Sequence, residues 1–153
     1  MSRAVINLDR VKGHPYSFIC EGADLEQGAL IELAEINADG ETYKAVAPTG
    51  DDGVSLGFHA SVPLQYDERL TELDFYLAKG KVGRVYVWDK GDMVTIDETM
   101  FESVVAVGDY LVPKIGSFKF DKYNTETPNG TRIAKVMEKT TFFGQPCAVI
   151  QFV

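Results

Sequence analysis

Short stretches in which apolar and polar residues alternate recur along the chain of 153 residues, and turn-forming residues separate them. The turn-forming stretches are NADGE, PTGDDG, DKGD, PKIG, TPNG and FFGQP. Side chains alternate between the two faces of a strand, so a period of two bounded by Gly, Pro, Asn and Asp indicates β-strands joined by tight turns. The pattern predicts a mainly β fold, either a β-barrel or a β-sandwich.

The clearest of these stretches is RVYVWDKGDMVTID, residues 84–97. A turn at residues 89–92 would place Arg84 opposite Asp97, as a cross-strand pair of opposite charge. One face would be aliphatic and would belong in the core: Val85, Val87, Val94 and Ile96. The other face would be mixed: Arg84, Tyr86, Trp88, Met93, Thr95 and Asp97. We predict a hairpin in this register, because a shift of the pairing by one residue would mix the aliphatic and the mixed face. A bulge at Gly91 would cause such a shift.

Three further hairpins are predicted from the same kinds of residues: residues 29–47 around Asp39 and Gly40, residues 109–120 around Pro113 and Gly116, and residues 130–153 around Gly144. The last strand is apolar on both faces, and only Gln151 is polar. Its two faces carry Cys147, Val149 and Val153 on one side, and Ala148, Ile150 and Phe152 on the other. Such a strand is either central to the fold or covered on its outer side.

One segment has a helical period instead. Tyr66, Leu70, Leu73 and Leu77 follow the spacing i, i+4, i+7, i+11. The spacing predicts one short helix at about residues 67–79, with Asp67 and Gly80 as its caps. A further helical turn is predicted at residues 97–101.

The composition favours one folded domain over residues 1–153, and it leaves room for an extended N-terminal segment. The net charge of −8 argues against nucleic acid as the main partner, because a phosphate-binding face needs clustered Lys and Arg. No apolar run reaches membrane-spanning length, so we expect no membrane partner. The two cysteines, Cys20 and Cys147, are expected to be reduced and buried.

The residues that could carry chemistry form no recognised motif. His14 and His59 are the only histidines, and neither has metal-ligand spacing, so structural roles are expected for both. The acidic stretches NADGE and TGDDG lack the spacing of a calcium loop and are typical of turns. The apolar surroundings of Cys147 should raise the pKa of its thiol and make it a poor nucleophile. We therefore expect no enzymatic activity, no cofactor and no metal.

Aromatic and apolar residues suggest a surface for protein partners. Tyr, Trp and Met are enriched at interfaces, although the face that carries them in residues 84–97 could instead pack against a second layer. The predicted interface comprises Tyr86, Trp88, Met93, Ile150, Phe152 and Val153.

The order of strand and turn phrases resembles a known family. The phrases are YDERLTELDFYLAKGKVGRVYVWDKGDMVTIDETMF, then VGDYLVP, then TRIAKVMEK and GQPCAVIQFV. They resemble the capsid decoration, or cement, proteins of tailed bacteriophages, over roughly the C-terminal half to two-thirds of the chain. The resemblance implies a β-rich virion protein, made in the host cytoplasm, that binds the major capsid protein on the outside of the head. It also implies a homo-oligomer without catalytic residues, commonly a homotrimer, that stabilises the shell.

Two other functions fit the sequence pattern. A tail-tube or head–tail connector component would form a ring, and the loop-like residues 48–63 would suit such a role. A small β-barrel enzyme or ligand-binding domain would bring His14, His59 and some of the carboxylates to one pocket.

Overall fold

A computed structural model describes residues 3–50, 54–61 and 75–153, and these residues are mainly β-structure. Their strands are β1 (Ile6–Arg10), β2 (His14–Ile19), β3 (Leu30–Ile36), β4 (Tyr43–Val46), β5 (Ser55–His59), β6 (Val82–Val87), β7 (Met93–Asp97), β8 (Tyr110–Pro113), β9 (Phe120–Lys122), β10 (Ala134–Phe142) and β11 (Gln145–Phe152). The predicted mainly β class is confirmed, and the architecture is a closed barrel beside a six-stranded sheet.

The barrel consists of five strands in the order β2-β4-β3-β5-β6, and β6 closes it by pairing with β2. β2 and β4 are parallel, and the other neighbours are antiparallel. At two glycines of the barrel, Gly57 and Gly83, neighbouring residues pack directly against the backbone. A Cβ on Gly57 would lie 2.5 Å from Val85 Cγ2, and one on Gly83 would lie 2.4 Å from Leu77 Cδ2. The barrel is therefore narrow enough that these two positions accept no side chain without displacement of their neighbours.

The open sheet has the strand order β1-β7-β11-β10-β8-β9. β11 lies between β7 and β10, so both of its edges are paired. This position explains why the last strand is apolar on both faces, and it confirms that the strand is central to the fold. β1 pairs with β7, so residues 6–10 belong to the sheet.

Barrel and sheet share one hydrophobic core. A row of stacked aromatic rings crosses the boundary between them: Tyr86 and Phe58 from the barrel, Phe152 from β11, and Trp88. The ring centroids of Phe58 and Phe152 lie 5.6 Å apart, and those of Phe152 and Trp88 lie 4.3 Å apart. Such pairs stabilise the fold beyond the effect of their buried area, which fixes the barrel against the sheet.

The hairpin predicted for residues 84–97 is wrong. β6 pairs with β2 and β5 in the barrel, whereas β7 pairs with β1 and β11 in the sheet. Arg84 and Asp97 are therefore not a cross-strand pair, and Asp97 is buried, where its Oδ2 accepts a hydrogen bond from the Val5 N–H. The alternating pattern identified the strands correctly, but it cannot tell strands that pair with each other from strands that enter different layers.

The Asp92 carboxylate lies where the chain passes from the barrel to the sheet. Its Oδ2 accepts hydrogen bonds from the Asp89 and Gly13 N–H groups, and its Oδ1 accepts one from the Lys12 N–H, all at 2.9 Å. Asp92 thus joins the two connections that pass from one β layer to the other, β1–β2 and β6–β7. A Cβ on Gly13 would lie 2.4 Å from the Val87 carbonyl oxygen, so the two connections are in close contact.

The other three predicted hairpins are confirmed. β3 pairs with β4 across a turn that contains Gly40, and β8 pairs with β9 across a turn that contains Gly116. β10 pairs with β11 along almost its whole length, across a turn at Phe143 and Gly144. Each of these turns places a glycine at positive φ, a conformation that glycine adopts without steric cost.

The helical predictions have two outcomes. A single 3₁₀ turn in the described residues, Glu98–Met100, lies where the extra helical turn was predicted, and Asp97 caps it by accepting the Thr99 N–H. The helix predicted at about residues 67–79 lies largely outside the described residues. Its last part, residues 75–79, is described and is not helical, because Leu77 forms a β-bridge with Leu25.

Candidate functional site

The residues predicted to form an interface divide into three groups. Ile150 and Phe152 are only 0% and 1% exposed, so their side chains belong to the core rather than to a surface. Tyr86, Trp88 and Met93 are half-buried, and the two aromatic rings belong to the stacked row that joins barrel and sheet. Val153 is 50% exposed, directly after β11. Tyr86 and Trp88 therefore pack between the barrel and the sheet, which was the alternative considered for this aromatic face.

A cleft of about 350 Å³ lies between β1 and the barrel. Its lining is mixed in character: Val5, Ile6, Asn7, Leu8, Gln27, Ala60, Ser61, Arg84, Tyr86 and Phe142. The Gln27 side chain forms a reciprocal pair with the Ser61 backbone, in which Nε2 donates to the carbonyl at 2.6 Å and Oε1 accepts the N–H at 3.0 Å. These hydrogen bonds fix the cleft wall. They also occupy the Gln27 amide, which is one of the polar groups that line the cleft.

One edge of β1 pairs with β7, and among the described residues the other edge faces the cleft beside the barrel. The Asp97 N–H donates to the Val5 carbonyl oxygen, and Asn7 lies opposite Thr95. Because the hydrogen-bonding direction alternates along an antiparallel strand, Ile6 and Leu8 direct their backbone groups away from β7. Within residues 3–50, 54–61 and 75–153, β1 has no second partner strand. An open edge of this kind can accept hydrogen bonds from another strand.

His59 is buried in β5, and both of its ring nitrogens have partners. Nδ1 lies 2.7 Å from the Glu26 carbonyl oxygen, and Nε2 lies 2.7 Å from Ser61 Oγ. A carbonyl oxygen only accepts, so Nδ1 carries the proton and Nε2 of the neutral ring accepts from the Ser61 hydroxyl. Burial lowers the pKa of His59 to about 4, against a smaller opposing effect of the Glu26 hydrogen bond.

The His59–Ser61 pair is best explained as a structural contact. Ser61 Oγ also accepts the Arg84 N–H at 3.0 Å, so the hydroxyl connects β6 to the buried imidazole. An imidazole with a pKa near 4 is a weak general base at neutral pH. The pair therefore satisfies buried polar atoms and holds the end of β5 against β6, as expected for a histidine with a structural role.

His14 and the cysteines occupy separate environments. His14 is exposed at the start of β2, where its ring lies 4.8 Å from that of Tyr16. Phe18, whose ring contacts His59, is four residues further along the same strand, which is about 13 Å. The two histidines thus do not share one pocket.

Cys20 and Cys147 are buried free thiols, and burial raises the pKa of Cys147 to about 11, as its apolar context predicted.

A surface loop presents two valines that the sequence analysis did not single out. Val104 is 90% exposed and Val107 is 62% exposed, both between the 3₁₀ turn and β8. The loop is fixed, because Lys139 Nζ donates to the Val105 carbonyl at 2.8 Å and the Gly108 N–H donates to the Val136 carbonyl at 2.8 Å. Only the apolar character of residues 104–107 in the sequence could have indicated this surface.

A second exposed apolar feature is the turn between β10 and β11. The Phe143 side chain is 51% exposed and contacts the Phe142 ring, with the ring centroids 4.6 Å apart.

The loop at residues 48–63, suggested for a ring-forming protein, is not a loop throughout, because residues 55–59 form β5 of the barrel. Residues 51–53, 62 and 63 of that segment lie outside the described residues.

Comparison with known proteins gave no match to a protein-family model, a curated protein or a solved structure. Within residues 3–50, 54–61 and 75–153, no group of three or more His, Cys, Asp or Glu side chains is placed to hold a metal ion. Among the same residues, no helix is long and apolar enough to span a membrane.

Proposed function

We propose that this protein is a capsid decoration protein of a tailed bacteriophage, which binds the major capsid protein on the outer surface of the head and stabilises the shell. The proposal begins from the resemblance of the strand and turn phrases in the C-terminal half to two-thirds of the chain. The observation that carries it in the folded protein is the fixed loop that exposes Val104 and Val107.

An exposed valine on an ordered loop is suited to contact with another protein. Val104 leaves nearly all of its side chain in water, and the hydrogen bonds from Lys139 Nζ and Gly108 hold the loop in one conformation. A fixed loop loses little conformational entropy when it binds, so more of the free energy of apolar burial becomes available for binding. Contiguous exposed apolar surface can mark a site of interaction with another protein.

The electrostatic character of the chain favours the outside of a shell over contact with its genome. The net charge of −8 would repel the phosphate backbone of DNA. The surface of a capsid protein, in contrast, also has basic and apolar areas, to which an acidic protein can bind. A homotrimer that binds several neighbouring capsid subunits would gain affinity by multivalency, so each individual contact can be weak.

Co-sedimentation with phage heads that lack a decoration protein tests this function. We expect the purified protein to pellet with such shells at a fixed ratio and to raise the temperature at which they disrupt, and we expect native mass measurement to give a trimer. The Val104→Asp variant should keep its fold and bind the shells more weakly. Val82→Asp is the matched control, because Val82 is also an exposed valine but lies on the barrel.

Failure of the wild-type protein to pellet with any shell would refute the proposed function. A native mass of six copies would favour a tail or connector ring instead. A monomer that binds a small molecule in the cleft beside β1 would favour the ligand-binding alternative.

A further inference from the structure

The end of the β10–β11 hairpin extends past the paired parts of the two neighbouring strands, and it contacts the N-terminal segment: Phe142 lines the cleft beside β1, and Gln145 Nε2 donates to the Arg3 carbonyl oxygen at 3.4 Å. β8 pairs with β10 only at Ala134 and Lys135, and β7 pairs with β11 only from Cys147 onward. The end of the hairpin, residues 140–146, is therefore a two-stranded ribbon. We refer to residues 142–145 of this ribbon as the hairpin tip.

The backbone at the hairpin tip is strained at Phe143. Phe143 has a φ of 52° and Gly144 a φ of 75°, as a two-residue turn of type I′ requires. Asn, Asp and Gly are the residues that accept the first position of such a turn. Among the described residues, Phe143 is the one non-glycine residue with positive φ. An aromatic side chain at this position therefore costs folding free energy that asparagine would not.

Packing within the chain does not offset this strain. The Phe143 side chain is half exposed, its ring contact is with the adjacent Phe142, and it does not belong to the hydrophobic core. An exposed aromatic residue with positive φ at a hairpin turn departs from the usual chemistry of such turns. Backbone strain of this kind clusters at functional sites.

We propose that the Phe143 side chain is an anchor that inserts into an apolar socket on the surface of a partner protein. The partner is a protein because residues 140–149, TTFFGQPCAV, contain no charged side chain, and the guanidinium of Arg3, whose backbone lies beside Gln145, is already paired with Glu26 at 2.8 Å. Binding to phosphates or to anionic lipid headgroups would require an available Lys or Arg beside the tip. A single aromatic residue that fills a desolvated pocket can supply much of the affinity of a protein interface.

Under the proposed function, on which this step rests, the socket belongs to the subunits of the capsid shell. The anchor then adds a second contact to that of the Val104 loop. Two contacts in one rigid body restrict the orientation in which the protein can bind.

The decisive variant is Phe143→Asn, because asparagine accepts positive φ and keeps the turn. We expect its midpoint of thermal unfolding to rise by roughly 2–4 °C, since the strain is relieved, and its affinity for undecorated shells to fall at least about tenfold. Ile115→Asn is the matched control, because Ile115 is a similarly exposed residue beside a turn glycine, and its shell affinity should be unchanged.

The possible outcomes separate this inference from the proposed function. Equal binding of wild type and Phe143→Asn to shells would overturn the anchor and leave the decoration function intact, whereas a wild type that does not pellet would remove both. A lower unfolding midpoint for Phe143→Asn would show that Phe143 has a structural role. If Phe143→Asn loses the trimer, the Phe143 side chain binds a second copy of this chain. If the wild type binds vesicles of neutral phospholipid and Phe143→Asn does not, the side chain inserts into a membrane. Either result would overturn the assignment to the shell.

Discussion

His59 shows how a single residue can link the fold to pH. Its imidazole is fully buried, and its pKa is lowered to about 4, chiefly because burial disfavours the charged form. The unfolded chain has an ordinary histidine pKa near 6.5. Below that pH the unfolded state binds a proton that the folded state does not, so protonation favours unfolding.

We predict that the stability contributed by neutral His59 is complete above pH 6.5 and is lost as the pH falls toward 4. The expected loss at pH 4 is about 3 kcal/mol. Urea unfolding of wild type and of His59→Gln between pH 7 and 4 measures it, because the difference between the two proteins removes the effect of the carboxylates. An NMR titration that gave His59 a pKa near 6.5 would contradict the prediction.

Residue chemistry was predicted in part from the sequence. The raised pKa of Cys147 followed from its apolar neighbours, because burial of a strand side chain is visible in the pattern. The burial of His59 was not predicted, since histidine occurs on surfaces and in cores alike. Its partners, Glu26 and Ser61, are 33 and 2 residues away, and only the barrel brings Glu26 to it.

At the scale of elements, local patterns identified strands better than they identified strand partners. Three hairpins with a glycine at positive φ formed as predicted, because turn chemistry and the adjacent strands specify such pairs locally. The fourth failed because β6 and β7 pair with different strands, and Asp92 between them binds backbone N–H groups of Lys12 and Gly13, about 80 residues earlier in the chain. Nothing near Asp92 in the sequence reveals these partners.

The close contact between β5 and β6 predicts the effect of one methyl group. A Cβ on Gly57 would lie 2.5 Å from Val85 Cγ2 and 2.7 Å from the Tyr86 carbonyl oxygen, and the backbone atom cannot rotate away. We expect Gly57→Ala to lower the free energy of unfolding by at least about 2 kcal/mol. Chemical denaturation followed by tryptophan fluorescence measures this change.

Gly22→Ala is the control for that experiment. No atom lies within 4 Å of a Cβ at Gly22, so its stability should change by less than about 0.5 kcal/mol. Equal stability of Gly57→Ala and Gly22→Ala would show that the barrel is less tightly packed than the structure indicates.

At the scale of the whole molecule, barrel and sheet share one core and should unfold together. The stacked rings of Phe58, Phe152 and Trp88 cross the boundary, and Asp92 joins both connections between the two layers. The mainly β class was predictable from the alternation of residues. The division into barrel and sheet was not, because it depends on pairings between distant segments such as β1 with β7.

The two cysteines report on this cooperativity. Cys20 follows β2 of the barrel and Cys147 lies in β11 of the sheet, and both are buried free thiols. We predict that neither reacts with a thiol reagent in the native protein. In mild denaturant, Cys20→Ala and Cys147→Ala should each expose the remaining thiol at the same rate. Rates that differ by more than about threefold would show that barrel and sheet open separately.

The place of β11 in the middle of the sheet affects how the protein folds during synthesis. All five barrel strands lie before residue 88, so the barrel can close while the ribosome is still translating the remainder. The sheet must wait until residues 145–152 have left the exit tunnel, because β7 and β10 meet only through β11. At roughly 5–20 residues per second, a nascent chain would expose the unfinished half of its core for several seconds. Chaperones that bind apolar segments would have most access to the chain during that interval.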